Sequence, residues 1–258
     1  MSIQLYLHAM LRTAPQMPGS RRALNPQKVM RHLLLPFLSV LLLVLGCNRK
    51  PPKAVIPPLP SVKIEDVAAP ANPMVTIARG SNLREVATTA YGHEDFSGFV
   101  AVLNGMADPE RVEAGAVLKT PSLPAGMRDA GLDPAYQPAF NVLAHAWAEL
   151  RTALPDYERE RYAARAGDES TFAITAPLSR RLRQCADDMD AALDVLAHPK
   201  EGHKMPRSTL GKFAGASGLL RQFATGKVYS SDYDVFLAEK GFGLGFTYAL
   251  IWAQSHHQ

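Results

Sequence analysis

Cysteine and histidine are the residue types in this chain whose side chains could support covalent or metal chemistry. The two cysteines, Cys47 and Cys185, could form at most one disulfide. Cys185 falls on an apolar helical stripe, so we predict a buried core residue rather than a nucleophile. His198 and His203 are five residues apart with a proline between them, a spacing that does not place two metal ligands on one helical face. These residues therefore predict no metal site and no cofactor.

The positive charge of the chain is concentrated in its first 47 residues. The 258 residues leave room for one or two folded units of about 150 residues. Their formal net charge is +4, from 28 Lys and Arg against 24 Asp and Glu. Residues 1–47 hold five of the basic residues and no acidic one, so 23 basic and 24 acidic residues remain, a net charge of −1. A basic surface of the kind that binds nucleic acid is not expected, and we predict no nucleic-acid partner.

An apolar stretch of 13 residues, 33–45, precedes Cys47 and is interrupted only by Pro36 and Ser39. It is too short for a transmembrane helix, which needs about 20 residues. It has instead the length of the apolar region of a signal peptide, and Arg31 supplies a basic flank. We therefore predict a signal peptide over residues 1–46, with Met30 as the alternative start.

The end of this stretch, Val44-Leu45-Gly46-Cys47, resembles the lipobox of bacterial lipoproteins. The resemblance implies that Cys47 becomes the new N-terminus and carries several fatty acyl chains, palmitate among them, since one chain alone anchors weakly. Asn48 is not the Asp that the family links with retention in the inner membrane. The implied location is the outer membrane, with the lipid-anchored chain facing the periplasm.

Residues 47–73 contain the lipidated cysteine and a linker with seven prolines after it. The linker, 48–73, has no helical or alternating apolar period. Such a composition predicts an extended, semi-rigid tether. At ~3.1 Å per residue in polyproline II geometry it would reach about 80 Å.

Residues 74–122 have the pattern strand, helix, helix, strand. Two helical stripes with spacing i, i+3, i+4, i+7 lie between short strand signals at 75–77 and 117–118. Ser81 or Asn82 is predicted to cap the first helix, Gly92 to end it and Asp95 to cap the second. The stripes consist of Leu83, Val86, Ala87 and Ala90, then Phe96, Phe99, Val100 and Leu103.

This region resembles the lysin motif (LysM), a peptidoglycan-binding module. The resemblance is carried, in order and without a gap, by residues 75–83, Val86, Ala87, Tyr91, Gly92, residues 103–106, Asp108, Pro109, Val112, Gly115, Leu118 and Pro121. It implies a shallow groove for glycans that contain N-acetylglucosamine. Carried over residue by residue, the groove is walled by Gly80, Ser81, Asn82 and Leu83 on one side and by Asp108, Pro109, Glu110, Arg111 and Val112 on the other. Leu83 and Val112 are expected to give apolar contact to the sugar face.

Three positions depart from the family pattern, with Ser81 for Asp, Asn82 for Thr and Ala114 for Pro. They leave open an alternative, a LysM fold that no longer binds glycan and serves only for docking.

Residues 123–258 are predicted to form a bundle of four or five helices, so the fold class is α+β followed by all-α. Helical spacing of apolar residues recurs in residues 140–154, 178–196, 210–223 and 234–254. The glycines at 241, 243 and 245 are predicted to form a turn before the last helix. A bundle joined to a wall-binding module predicts an interaction domain that a cell-wall tether presents to an envelope protein.

The alternative for residues 123–258 is a cell-wall hydrolase. Residues 215–220 resemble part of a signature of lytic transglycosylases, and Glu201 lies upstream as a candidate general acid and base. Several positions depart from that family, including Gly202 after the glutamate and Arg221 before Gln222.

Overall fold

Helices dominate the chain, and a single short sheet accompanies them in its described part. The computed structural model describes residues 56–67, 69–106, 112–166, 170–199, 202–228 and 231–256. In chain order the elements are β1 (Met74–Thr76), α1 (Leu83–Tyr91), α2 (Ser97–Leu103), β2 (Val117–Lys119), α3 (Leu123–Asp129), α4 (Gln137–Ala163), α5 (Ala176–Ala197), α6 (Arg207–Phe223) and α7 (Ser231–His256). The signal peptide and lipobox predicted over 1–47 lie outside these ranges. No helix within them combines the length and hydropathy that a membrane span requires.

Residues 74–122, called here the βααβ unit, have the predicted order of elements. β1 and β2 pair antiparallel, with Val75 opposite Leu118. Asn82 caps α1, because its Oδ1 accepts from the backbone N–H of Glu85 at 3.0 Å. Gly92 ends α1 with φ +82°, as predicted.

The prediction that Asp95 caps the second helix is wrong, because Phe96 is the N-cap residue of α2 and makes no side-chain capping bond. The ring of His93 accepts from the backbone N–H of Asp95 and begins a 3₁₀ turn, Glu94–Phe96, that leads directly into α2. A carboxylate is a common acceptor for the first free N–H groups of a helix, which is why Asp95 was predicted. Here the imidazole nitrogen of His93 is the acceptor, at the start of the 3₁₀ turn.

The predicted helical bundle is present. α4 packs on α5, α5 on α6 and α6 on α7, and the short α3 precedes them. The apolar stripes face inward, as Leu182, Met189 and Leu196 of α5 illustrate. Cys185 is buried on the same stripe, as predicted.

The prediction of a turn at Gly241, Gly243 and Gly245 is wrong, because α7 runs through all three. A Cβ at Gly241 would lie 2.8 Å from the carbonyl oxygen of Lys212, and one at Gly245 would lie 2.6 Å from the ring of Phe213. The glycines therefore allow close approach of α6. Glycine costs a helix about 1 kcal/mol relative to alanine, a cost that tertiary packing offsets here.

The βααβ unit and the bundle share one hydrophobic core. The described residues from 56 onward belong to a single compact unit. The ring of Phe96 lies 5.1 Å from that of Trp147 on α4, and Phe99 meets Phe246 of α7 edge to face at 6.2 Å. Residue 122 is therefore a boundary in the predicted domain organisation but not in the packing.

The later part of the predicted tether, from Leu59 onward, contacts this core. Val67 is buried, the side-chain amide of Asn141 donates to Val62 O at 2.9 Å, and Thr120 Oγ1 donates to Asn72 O at 2.8 Å. A proline-rich segment leaves its own carbonyl groups unpaired, so side chains of the core can bind them. This part of the tether thus differs from the free spacer that composition predicted.

Candidate functional site

Described residues that flank the two predicted groove walls are hydrogen-bonded to each other at one end of the β1–β2 pair. Beyond the strands, Ile77 N–H donates to Ala116 O and Gly115 N–H donates to Ile77 O, both at 2.9 Å. Gly115 has φ +89°, a left-handed conformation that favours glycine. Ile77, just after β1, and residues 115–116, just before β2, are therefore held side by side.

The first wall, residues 80–83, offers short polar groups to solvent. Gly80 has φ +87° with open space around its Cα, and Ser81 follows it in a turn in which Ser81 N–H donates to Ala78 O at 3.1 Å. The Asn82 side chain also donates to Glu85 Oε1 at 3.3 Å, so it is engaged at both ends in capping α1. The Ser81 hydroxyl and the backbone near Gly80 are the polar groups of this wall that could hydrogen-bond a ligand.

Leu83 does not fit its expected role as an apolar contact for sugar. Its side chain is 2% exposed and belongs to the buried face of α1. Val112, on the other wall, is half-buried and packs against the same core. The helical stripe that predicts Leu83 as a core residue is the stronger signal.

The remaining residues of the second wall, Asp108, Pro109, Glu110 and Arg111, lie outside the described residues. Val117, at the start of β2, is 55% exposed and supplies an apolar surface at the groove end of the sheet. The sequence analysis grouped Val117 and Leu118 in one strand signal. Successive side chains of a strand point to opposite faces, so Leu118 faces the core and Val117 faces solvent.

Asn104 is a positioning residue that sequence reasoning missed. Its side chain donates to Lys119 O at 3.0 Å and to Val100 O at 2.8 Å, and its Oδ1 accepts from Lys119 N–H at 2.8 Å. The side-chain amide bonds both the N–H and the C=O of Lys119, as the backbone of a neighbouring strand would, and so joins the end of α2 to β2. It fixes the point at which the chain enters the second wall.

A second concave site lies between the end of α3 and the C-terminal end of α7. Its volume is about 780 Å³, within the range of small-molecule sites. Trp252 lies in its floor, with His256 at a ring distance of 4.9 Å and Tyr136 at 5.7 Å. Tyr136 donates to His203 O at 2.7 Å, and burial, with the nearby charge of Asp133, raises the pKa of its phenol. The floor is thus held rigidly, while Asp133 and the two histidines are exposed.

Of the two features behind the hydrolase alternative, only residues 215–220 lie in the described chain. Glu201 lies outside it, and residues 215–220 form part of α6, where Ala216 and Ser217 are buried. Ser217 Oγ donates to Asp190 Oδ1 at 2.6 Å, which joins α6 to α5. This segment therefore serves helix packing.

Cys185 has the properties of a core residue. Its thiol lies 3.3 Å from Ala146 O, and burial, aided by the charges of Asp188 and Glu149, raises its pKa to about 12. A thiol that stays protonated is a poor nucleophile.

Comparisons of this chain with protein-family models, with curated proteins and with solved structures find no match.

Proposed function

We propose that this protein is an envelope lipoprotein that binds peptidoglycan through the βααβ unit, a LysM module. Acylated Cys47 anchors it in the outer membrane, and the bundle is presented near the cell wall to an envelope protein. The observation that carries the proposal is the pair of hydrogen bonds between Ile77 and residues 115–116. They hold the start of the segment that leads to residues 80–83 beside residues 115–116, which supports the groove that the lysin-motif resemblance implies.

The chemistry of the groove suits an amino sugar. The acetamido and hydroxyl groups of N-acetylglucosamine need short donors and acceptors, which the Ser81 hydroxyl and the backbone near Gly80 provide. The apolar face of the ring needs a flat aliphatic contact, and exposed Val117 takes the role expected of Leu83. Shallow contacts of this kind favour binding to an abundant polymer over tight binding of one sugar.

The glycan proposal is tested by retention of the full chain, in mild detergent, on purified sacculi. Deleting residues 74–122 would expose the shared core, so a point substitution is needed. We expect Ser81→Trp, which fills the groove, to weaken retention at least tenfold, a loss of about 1.4 kcal/mol.

The matched control is Ala71→Trp, at an exposed alanine that precedes the opposite end of β1. It introduces the same large ring away from the groove and should bind as the parent does. Equal retention of both variants and the parent would refute the groove, and no retention of the parent would refute glycan binding.

The anchoring proposal is tested by Cys47→Ser in cells supplied with a labelled palmitate analogue. We expect the variant to lose the label and to leave the outer-membrane fraction. A parent protein that is recovered unlabelled would contradict the proposal.

A further inference from the structure

His93 lies between two carboxylates that belong to different parts of the fold. Its side chain is 14% exposed and sits at the start of the 3₁₀ turn that precedes α2. Nδ1 lies 3.5 Å from Asp95 Oδ2 in the same turn, and Nε2 lies 3.4 Å from Glu239 Oε2 on α7. One imidazole thus spans the contact between the βααβ unit and α7.

The 3₁₀ turn that contains Asp95 packs closely against α4 and α7 of the bundle. The His93 ring meets Trp147 of α4 edge to face and Phe236 of α7 at a tilt, both at 6.4 Å. A Cβ at Gly243 would lie 2.7 Å from the backbone of Asp95, so α7 approaches the turn as closely as glycine permits.

The negative charge at this contact is not fully balanced. Asp95 Oδ2 is buried and has no hydrogen-bond partner in the described chain. Glu94 pairs with Arg84 only at 3.9 Å, and both side chains are well exposed. A neutral imidazole would leave Asp95 and Glu239 to face it without a counter-charge, which is costly in a partly buried site.

The nearby cations are engaged elsewhere. Lys240 of α7 lies over the ring of Phe236 at 5.2 Å, and Arg151 of α4 donates to Tyr91 O at 3.2 Å. The cation best placed between the two carboxylates is therefore His93 itself.

We propose that His93 is a proton-binding site that fastens the βααβ unit to α7. In the neutral form Nδ1 accepts from the Asp95 backbone N–H at 3.3 Å, and Nε2–H faces Glu239. The second proton enters at Nδ1 and turns this nitrogen from an acceptor into a donor toward the Asp95 carboxylate. The imidazolium then pairs with both carboxylates, and loss of that proton loosens the turn from α7.

The direction of the pH dependence follows from the charges around the ring. Burial lowers the pKa of His93, but the hydrogen bond to Glu239 and the charges of Glu239, Asp95 and Glu94 outweigh it and raise the pKa above its ordinary value. A raised pKa in the folded state means that the stabilisation is complete below the unfolded value of about 6.5 and is lost as pH rises through the folded value. The contact is thus tight in mild acid and weaker above neutrality.

The test is hydrogen exchange of the amides of residues 92–104 in the full chain in mild detergent, at pH 5.5 and 8.5 and corrected for intrinsic rates. We expect protection to fall several-fold at the higher pH in the parent and to be the same at both pH values in His93→Gln. The matched control is His198→Gln, since His198 is exposed and also lies beside a carboxylate, Asp194, at 3.1 Å. It should behave as the parent does.

A second variant keeps the test decisive if His93→Gln does not fold. Glu239→Gln removes one carboxylate, and the NMR titration of the His93 ring should move to lower pH. An imidazole that titrates at or below pH 6.5 in the parent, or a pH response that survives in His93→Gln, would overturn the proposal. No glycan is present in these measurements, so their outcome is independent of peptidoglycan binding.

Discussion

The βααβ unit and the helical bundle differ in how each is stabilised. The strands of the first are three residues long and its helices have nine and seven residues. The four long helices of the bundle bury continuous apolar stripes against each other. The large rings of the small unit pack on one another and also on Trp147 and Phe246 of the bundle. The candidate groove therefore depends on a scaffold that is remote from it in sequence.

The most severe way to break this dependence is Trp147→Ala. Trp147 is buried, donates from Nε1 to Tyr91 O at 2.9 Å, and contacts both Phe96 and Phe242. Its loss should cost about 3–5 kcal/mol of the free energy of unfolding. Circular dichroism and exchange of the β1–β2 amides should report the same single urea transition, at a lower midpoint.

The comparison for that variant is Leu182→Ala, a buried position on α5 away from the small unit. It too should destabilise the sheet and the helices together. Sheet amides that stay protected after the helices have unfolded would contradict the dependence.

Two helical glycines should show smaller changes in the free energy of unfolding, of opposite sign. One is packed against backbone and the other faces open space. Gly243→Ala would force a Cβ against the Asp95 backbone and should cost about 1–3 kcal/mol. Gly215→Ala on α6 meets nothing within 4 Å and should stabilise by about 0.5–1 kcal/mol. Urea midpoints measure both changes, and a shift of the same sign in the two variants would refute the packing described for α7.

The most local effect is expected at Asn104, which acts within the small unit. Asn104→Ala removes three hydrogen bonds at a partly buried site and should cost about 1–2 kcal/mol. Exchange at Lys119 should rise and retention on sacculi should fall, while the α5 and α6 amides keep their protection.

Gln184→Ala on α5, which removes an exposed amide bonded to Asp188, serves as the control. It should change stability by less than about 0.5 kcal/mol. A uniform loss of protection in Asn104→Ala would show that the residue supports the whole core rather than the groove.

The helices could be predicted from the sequence because their apolar periodicity is also their packing surface. Leu182 and Met189 of α5 illustrate this, and Leu83 shows the same logic applied inconsistently, since a residue on the buried stripe of α1 cannot also face a sugar. The order of elements in residues 74–122 followed from the same pattern.

The errors arose where tertiary contacts outweigh local preference. The three glycines of α7 suggested a turn, but only the approach of Phe213 and Asp95 explains why a helix retains them. His93 and Glu239 are far apart in the chain, and no periodic pattern brings them together. The attachment of the tether to the core likewise depends on hydrogen bonds from Asn141 and Thr120, and composition does not reveal the partners of these side chains.

The attachment of the later part of the tether to the core has a consequence for reach. Leu59 is the first described residue of the tether that packs on the core, so residues 48–58 separate it from Cys47, and at ~3.1 Å per residue they span about 34 Å rather than 80 Å. With Cys47 acylated as proposed, the folded body stays close to the lipid headgroups and has a narrow range of heights above them. Glycan strands on the membrane-facing side of the wall are then the ones it meets, and the protein would report local spacing between wall and bilayer as well as bridging it.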